Sequence, residues 1–506
     1  MFPCLLASFS FALSFAISAS AASTKHTFRS QTVADGSLAY VKNSGICETT
    51  SGVGQVSGYI NLTKNASLWF WFFEARSSPD SAPLTLWLNG GPGCSALLGL
   101  FQEHGPCTVN ADGKTTRLNP YSWNNSSNMI YIDQPFGAGF STGSGVDDTD
   151  AAARTMWTAF QILFESDEFA AFRSRDLIFA TESYGAHFGP VFITYFNEQN
   201  ALIDNGSLAG HKVIFKSLMI NDGKHDPIIQ YQSLLDFVAD APGYGQLQTT
   251  STINSMSAAW SGTAGCLSQL QGCYAGGKER TDDQICTAAN QACMTGLFYP
   301  AIRGRDSDDL RQTSNTLSPF PPTYYKNFLG LLETREAIGA ASKFDACSNS
   351  VQSAFNASGE FGRTALPPLA ALANAKFPIL IWVGDADIKA NWVGVHRAMV
   401  SMSWYGNLTL NNTALTNWTI DGTVVAQVKS VDNFTFSRVF GAGHNLPAFV
   451  PKTALQFFTR VVQDVSGGES NGSRPGSQPS GKNEAILHRP HAFWSMASFL
   501  LLLMIF

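Results

Sequence analysis

The chain is poor in charge: only 14% of its 506 residues are Asp, Glu, Lys or Arg. The 32 basic residues do not outnumber the 38 acidic ones, and the formal net charge is -6. With no basic excess to neutralise a phosphate backbone, nucleic acid is excluded as a partner. No His-Glu-x-x-His, no Cys-x-x-Cys and no Gly-x-x-x-x-Gly-Lys loop occurs. Metal and nucleotide chemistry thus have no support, and no cofactor is expected. What is abundant is apolar: 44% hydrophobic and 12% aromatic residues, enough for a large core. Length alone would allow about three domains, but one α/β core carrying an insertion accounts for the pattern better.

The most informative segment is Ala180-Thr-Glu-Ser-Tyr-Gly-Ala186, preceded by the apolar run Leu177-Ile178-Phe179 and followed by a helix-like stretch. A buried strand that turns sharply into a helix lifts a serine hydroxyl above the sheet, and Ser183 stands at that turn. Gly185 supplies the small residue two positions after the serine. Thr181 occupies the place where Gly-x-Ser-x-Gly has its first glycine.

Two later segments complete a constellation. Pro378 to Val383 reads as a buried parallel strand and runs into Gly384-Asp385-Ala386-Asp387. Arg438-Val439-Phe440 leads into the glycine-rich turn Gly441-Ala-Gly-His444-Asn445. The order Ser, Asp, His, each after a strand, is that of α/β-hydrolases. Taken singly, the aspartates are turn formers and His444 a loop histidine; together they point to a nucleophilic triad.

Leu84 to Pro106 contains Trp-Leu-Asn-Gly-Gly-Pro-Gly-Cys-Ser, and with Glu182-Ser-Tyr184, Gly384-Asp-x-Asp-x-x-x-Asn-Trp392 and Gly441-x-Gly-His444 it closely resembles the serine carboxypeptidases. The resemblance runs from about residue 45 to 465, and Thr181 matches a secreted fungal branch. It implies an α/β-hydrolase fold with a disulfide-bonded cap. It also implies a catalytic triad of Ser183, His444 and Asp387, with Asp385 shaping the loop. Backbone N–H groups of Gly91 and Tyr184 would form the oxyanion hole, where one donor is worth about 2.7–4 kcal/mol. Asn89, Gly90, Glu103 and Glu182 would hold the substrate's free carboxylate. Three adjacent carboxylates repel, so the glutamates must be at least partly protonated when substrate binds, and binding should weaken as pH rises. Relatives line the leaving-residue pocket with apolar side chains where this chain has Gln102 and Asn445. That implies better tolerance of polar or basic C-terminal residues. Ala390 replaces a cysteine found in several relatives, which removes thiol-reagent sensitivity from that position.

Met1 to about Ala21 reads as a secretory signal, and its removal takes Cys4 and leaves eight cysteines. The symmetric spacing of Cys266, Cys273, Cys286 and Cys293 suggests nested bridges Cys266–Cys293 and Cys273–Cys286, with a zinc site as the rival. The family precedent implies Cys94–Cys347, which leaves Cys47 with Cys107. Sequons begin at Asn61, Asn65, Asn124, Asn125, Asn205, Asn356, Asn407, Asn411, Asn417, Asn433 and Asn471, as in an extracellular glycoprotein.

Strands expected at Ser67–Phe73, Leu84–Asn89, Met129–Asp133, Leu177–Ala180 and Val213–Ile220 place the first part of the core at 45–219. Residues 220–345 form the cap, and 346–465 the second part of the core. Residues 466–491 read as a disordered stalk and spacer. The apolar tail 492–506 is short for a membrane span. Small residue, spacer and apolar tail is the order of a GPI-attachment signal, with Ser480, Gly481 and Asn483 as candidate sites; a tail-anchored or short single span and a tail without function are the alternatives. The leading expectation is a secreted, cell-surface serine carboxypeptidase acting on peptide or protein C-termini at acidic pH. The competing readings are an acyltransferase of the same fold and a catalytically silent surface glycoprotein.

Overall fold

The computed structural model describes residues 24–277, 283–316 and 318–467. The signal segment, Asn471, the GPI candidates, the apolar tail and nearly all of the stalk lie outside the described residues.

The chain enters through antiparallel strands β1 (Lys25–Arg29), β2 (Ser37–Lys42), β3 (Gln55–Thr63) and β4 (Ala66–Phe73), then reaches β5 (Leu84–Leu88). A small ribbon, β6 (Cys107–Val109) with β7 (Thr116–Leu118), precedes β8 (Asn128–Asp133). Strands β9 (Leu177–Glu182), β10 (Phe215–Asn221) and β11 (Ile379–Gly384) follow, and then β12 (Thr416–Ile420), β13 (Thr423–Val431) and β14 (Phe434–Val439). Apart from the ribbon they form one 12-stranded sheet in the order β1-β2-β3-β4-β8-β5-β9-β10-β11-β14-β13-β12. The run β8-β5-β9-β10-β11-β14 is parallel, with antiparallel strands on either side.

Burial explains the sequence of the parallel strands. β5, β8, β9 and β11 are buried at every residue, so they read as continuous apolar runs and not as an alternation. In β4 the two faces separate: Leu68, Phe70 and Phe72 join the core under the helices Thr149–Glu165 and Gly185–Asp204, while Trp69, Trp71 and Phe73 join an aromatic core with Trp87, Trp123 and Phe458.

The sheet starts earlier than the expected core. Residues 25–42 belong to it as β1 and β2, which are half-exposed and carry no strong apolar alternation. Between β10 and β11 the described residues are helical and surround their own apolar cluster, including Leu234, Phe237, Trp260 and Leu297. Within it, helices Cys266–Ala275 and Asp283–Cys293 are joined by Cys266–Cys293 and Cys273–Cys286. A seven-residue spacing is close to two helical turns, so each helix presents both cysteines on one face. With the sulfurs bonded to each other, no thiolate remains for zinc. Cys47–Cys107 and Cys94–Cys347 are the other two bridges. Among the described residues no helix is long and apolar enough to cross a membrane.

Candidate active site

The loops that leave the carboxyl ends of β5, β9, β10, β11 and β14 converge at one edge of the parallel sheet, where α/β folds place ligands. Ser183 follows β9 directly with φ +57, a conformation that is uncommon for any residue but glycine. The turn is held by its neighbours: the Ser183 N–H donates to Asn221 O at 2.9 Å, and its carbonyl accepts from the N–H of Lys224 at 3.0 Å. A Cβ on Gly185 would overlap the Thr181 side chain, so the second glycine of the elbow is required. Thr181 is accommodated because Oγ1 turns to donate to Leu88 O at 2.7 Å, at the end of β5.

His444 follows β14, and its Nδ1 donates to Oδ2 of Asp387 at 2.8 Å. Asp387 is fully buried and His444 is 4% exposed. Asp385 serves the loop: its Oδ1 accepts from Gly441 N–H at 2.8 Å and from Tyr244 Oη at 3.2 Å, tying the aspartate loop to the histidine loop. Ser183, His444, Gly90, Gly91 and Tyr184 all line a cavity of about 850 Å³.

Gly91 has φ +108, and a Cβ on Gly90 would stand 2.5 Å from the Tyr184 nitrogen. The glycine loop therefore lies against the elbow, an approach only glycine permits. The Cys94–Cys347 disulfide anchors this loop. Tyr184 is fixed through its other end, where its hydroxyl donates to Glu360 Oε2 at 2.8 Å.

Glu103 and Glu182 meet beneath the loop. Glu103 belongs to a π-helical turn, Gly99–His104, a geometry that recurs at functional sites. Asn89 Nδ2 donates to Glu182 Oε1 at 2.5 Å, while Asn89 Oδ1 accepts from Trp87 Nε1 and from Gly99 N–H. Asn221 Nδ2 donates to Glu182 Oε2 at 3.3 Å. Burial, followed by the neighbouring Glu182 charge, pushes Glu103 well above the usual carboxyl range; burial also raises Glu182. Oε2 of Glu103 is buried with no partner among the described residues. With both shifted upward, such a pair favours sharing a proton, and a protonated carboxyl can donate as well as accept.

Gln102 and Asn445 do line the cavity. Their amide nitrogens are engaged by neighbours. Gln102 Nε2 donates to the carbonyls of Pro321 and Pro322 at 3.2 and 3.0 Å, and Asn445 Nδ2 donates to Glu103 Oε1 at 3.3 Å. One sequon is corrected: Asn124 is fully buried, and its Nδ2 donates to Glu48 Oε2 and Glu74 O, leaving no room for a glycan. Asn65, Asn205, Asn411 and Asn417 are exposed; Asn61, Asn125, Asn356, Asn407 and Asn433 are half-buried.

Several residues at the site carry no sequence signal of their own. Asp222, after β10, is fully buried beside the His444–Asp387 pair. Asp133 accepts from Ser95 Oγ and Ala96 N–H with one oxygen and from Phe140 N–H with the other, and so pins the segment after the glycine loop. Burial raises it to about 7. The attachment of Asp133 to Ser95 is not legible in the sequence, because the two lie far apart along the chain.

A family model described as serine carboxypeptidase matches residues 46–464. Carboxypeptidase S1 of Penicillium janthinellum is 42% identical over 428 residues, covering 84% of this chain and 98% of that protein. Carboxypeptidase Y homolog A of Uncinocarpus reesii is 33% identical, covering 81% of this chain and 74% of its own. Among solved structures, a prohormone-processing carboxypeptidase of Saccharomyces cerevisiae shares the fold with a TM-score of 0.64 at 21% identity, over 81% of this chain and 91% of that one.

Proposed function

Since the chain belongs to the serine carboxypeptidase family, we propose that it removes C-terminal residues from peptides through an acyl-enzyme on Ser183. His444 takes the hydroxyl proton as Oγ attacks the carbonyl carbon of the last peptide bond. Asp387 holds the imidazole tautomer and balances the charge it gains. The tetrahedral oxyanion receives hydrogen bonds from the N–H groups of Gly91 and Tyr184. His444 then gives its proton to the leaving amine, and water repeats the sequence to release the shortened peptide.

The observation that carries the exopeptidase reading is the buried Glu103–Glu182 pair beside the elbow, with Asn89 and Gly90. An endopeptidase or esterase has no use for a proton-retaining dyad where the chain of the substrate ends. A free carboxylate accepts a hydrogen bond from a neutral glutamic acid and is repelled by an ionised pair. Hydrolysis of a blocked dipeptide at pH 5, abolished by a serine-directed organophosphonate, tests the reading. Transfer of the acyl group to an added alcohol in preference to water would favour an acyltransferase, and no turnover at all a silent glycoprotein.

The apolar start, the exposed sequons and the disulfides support an extracellular enzyme. The sequence beyond residue 466 supports attachment through a GPI anchor at Ser480, Gly481 or Asn483. Release of the enzyme from intact cells by a phosphatidylinositol-specific phospholipase C tests this; release only by detergent would count against it.

A further inference from the structure

Asp222 is a second carboxyl next to the His444–Asp387 pair, and the catalytic sequence above gives it no part. It follows β10 in Ile220-Asn-Asp-Gly223 with φ +43, a conformation that Asp and Asn tolerate better than most residues. Its Oδ1 accepts from the N–H of Gly384, the last residue of β11, at 2.9 Å. Its Oδ2 is buried with no donor among the described residues, and so is Oδ1 of Asp387, whose other oxygen faces His444. One oxygen of each carboxyl and a ring nitrogen of His444 lie within 4.8 Å of one another.

Two ionised carboxylates this close in a dry interior repel strongly, and each keeps a buried oxygen without a donor. A single proton between the two orphan oxygens removes both problems. We propose that Asp222 is a positioning residue of the triad: its carboxyl carries that proton on Oδ2 and donates to Oδ1 of Asp387, fixing the plane of the carboxylate that orients His444. The proton belongs on Asp222 and not on Asp387, because Asp387 must stay ionised to accept from the imidazole. Burial, then the Asp387 charge, holds Asp222 well above the usual carboxyl range.

The other charged groups facing this pocket do not change the assignment. Glu182, at the end of β9, adds negative charge and favours the proton further. Lys389 is ion-paired with Asp308. Lys224, two residues past Asp222, is lowered by burial to about 8. None of these is a hydrogen-bond partner of Asp222 among the described residues.

The test is steady-state kinetics of the full enzyme across pH, with Asp222→Asn and Asp222→Gly. Asparagine keeps a donor in the same place, and glycine removes the side chain without straining a positive φ. The proposal expects D222N to keep kcat/KM within about threefold, with the acid limb of its pH profile unmoved. It expects D222G to lose at least about tenfold in kcat with KM nearly unchanged. A downward shift of the acid limb by about one unit in D222N would overturn it, since that means wild-type Asp222 is ionised and raises the basicity of His444. Kinetics of D222G equal to wild type would overturn it as well. So would activity lost in chelator and restored by a divalent cation, which would place a metal ion and not a proton between the carboxyls. If D222G is not secreted, the pH profile of D222N alone decides.

Discussion

Ser183 contributes a hydroxyl at the floor of an open cavity and is only 7% exposed, yet few packing contacts depend on that one oxygen. Ser183→Ala should therefore be secreted and fold normally while losing turnover, leaving only what binding and oxyanion donors supply. Residual turnover above about one part in a hundred would contradict the assignment. In the proposed function Glu103 acts through a proton, so its isostere has a different signature. A glutamine amide in its place would donate at every pH. Glu103→Gln should therefore flatten the alkaline decline of kcat/KM for free-acid peptides; an unchanged decline would assign the titration elsewhere. At this scale the sequence is informative where functional residues are contiguous with a motif. Ser183, Asp387, His444, Asn89 and Glu182 all sit within such stretches. Asp222 and Glu360 do not, because their meaning lies in what they touch from other loops. The engagement of Gln102 with Pro321 and Pro322 was hidden for the same reason.

The elbow is the element on which the proposed nucleophile depends, and its tightness comes from the Thr181–Gly185 contact. Gly185→Ala should abolish activity and lower expression, since the added methyl meets the Thr181 hydroxyl side chain. Thr181→Gly combined with Gly185→Ala should recover much of the loss, and failure of the double variant to improve on the single one would show that another contact sets the turn. The helical hairpin Cys266–Cys293 gives a second test at this scale. Replacing Cys273 and Cys286 together by serine opens a loop with a sequence separation of 13. The chain-entropy argument assigns such a closure about 3 kcal/mol. Local proteolysis should then begin in this hairpin while the catalytic pH profile stays unchanged. The parallel strands were legible because burial on both faces leaves an uninterrupted apolar run. β1 and β2 were not, because the antiparallel edge strand and its half-buried neighbour show no such run, and the helices of residues 227–337 were obscured by glycine and proline between short segments.

The whole molecule buries two sets of titratable groups with opposite effects. Asp133, raised by burial to about 7, and the raised Glu103, Glu182 and Asp222 stabilise the fold while protonated; that contribution is lost as pH rises through their folded values. His187 and His225, lowered by burial to about 3, and His396, lowered to about 4, are neutral in the fold. Their contribution is present above the ordinary histidine range and lost as pH falls through those depressed values. Between about pH 4.5 and 6.5 the two slopes oppose each other, so the melting temperature should be nearly flat there and drop by at least about 3 °C at pH 3 and at pH 8. A melting temperature still rising at pH 8 would mean the raised carboxyls are not buried as described.

The most direct test of the account compares one blocked dipeptide with its C-terminal amide, measuring kcat/KM for both from pH 4 to 8. The carboxyl dyad predicts a free-acid profile that declines as the Glu103–Glu182 proton is lost, while the amide, with no charge to repel, keeps a flatter alkaline limb. Coincident profiles for acid and amide would contradict the claim that this buried pair reads the end of the substrate chain.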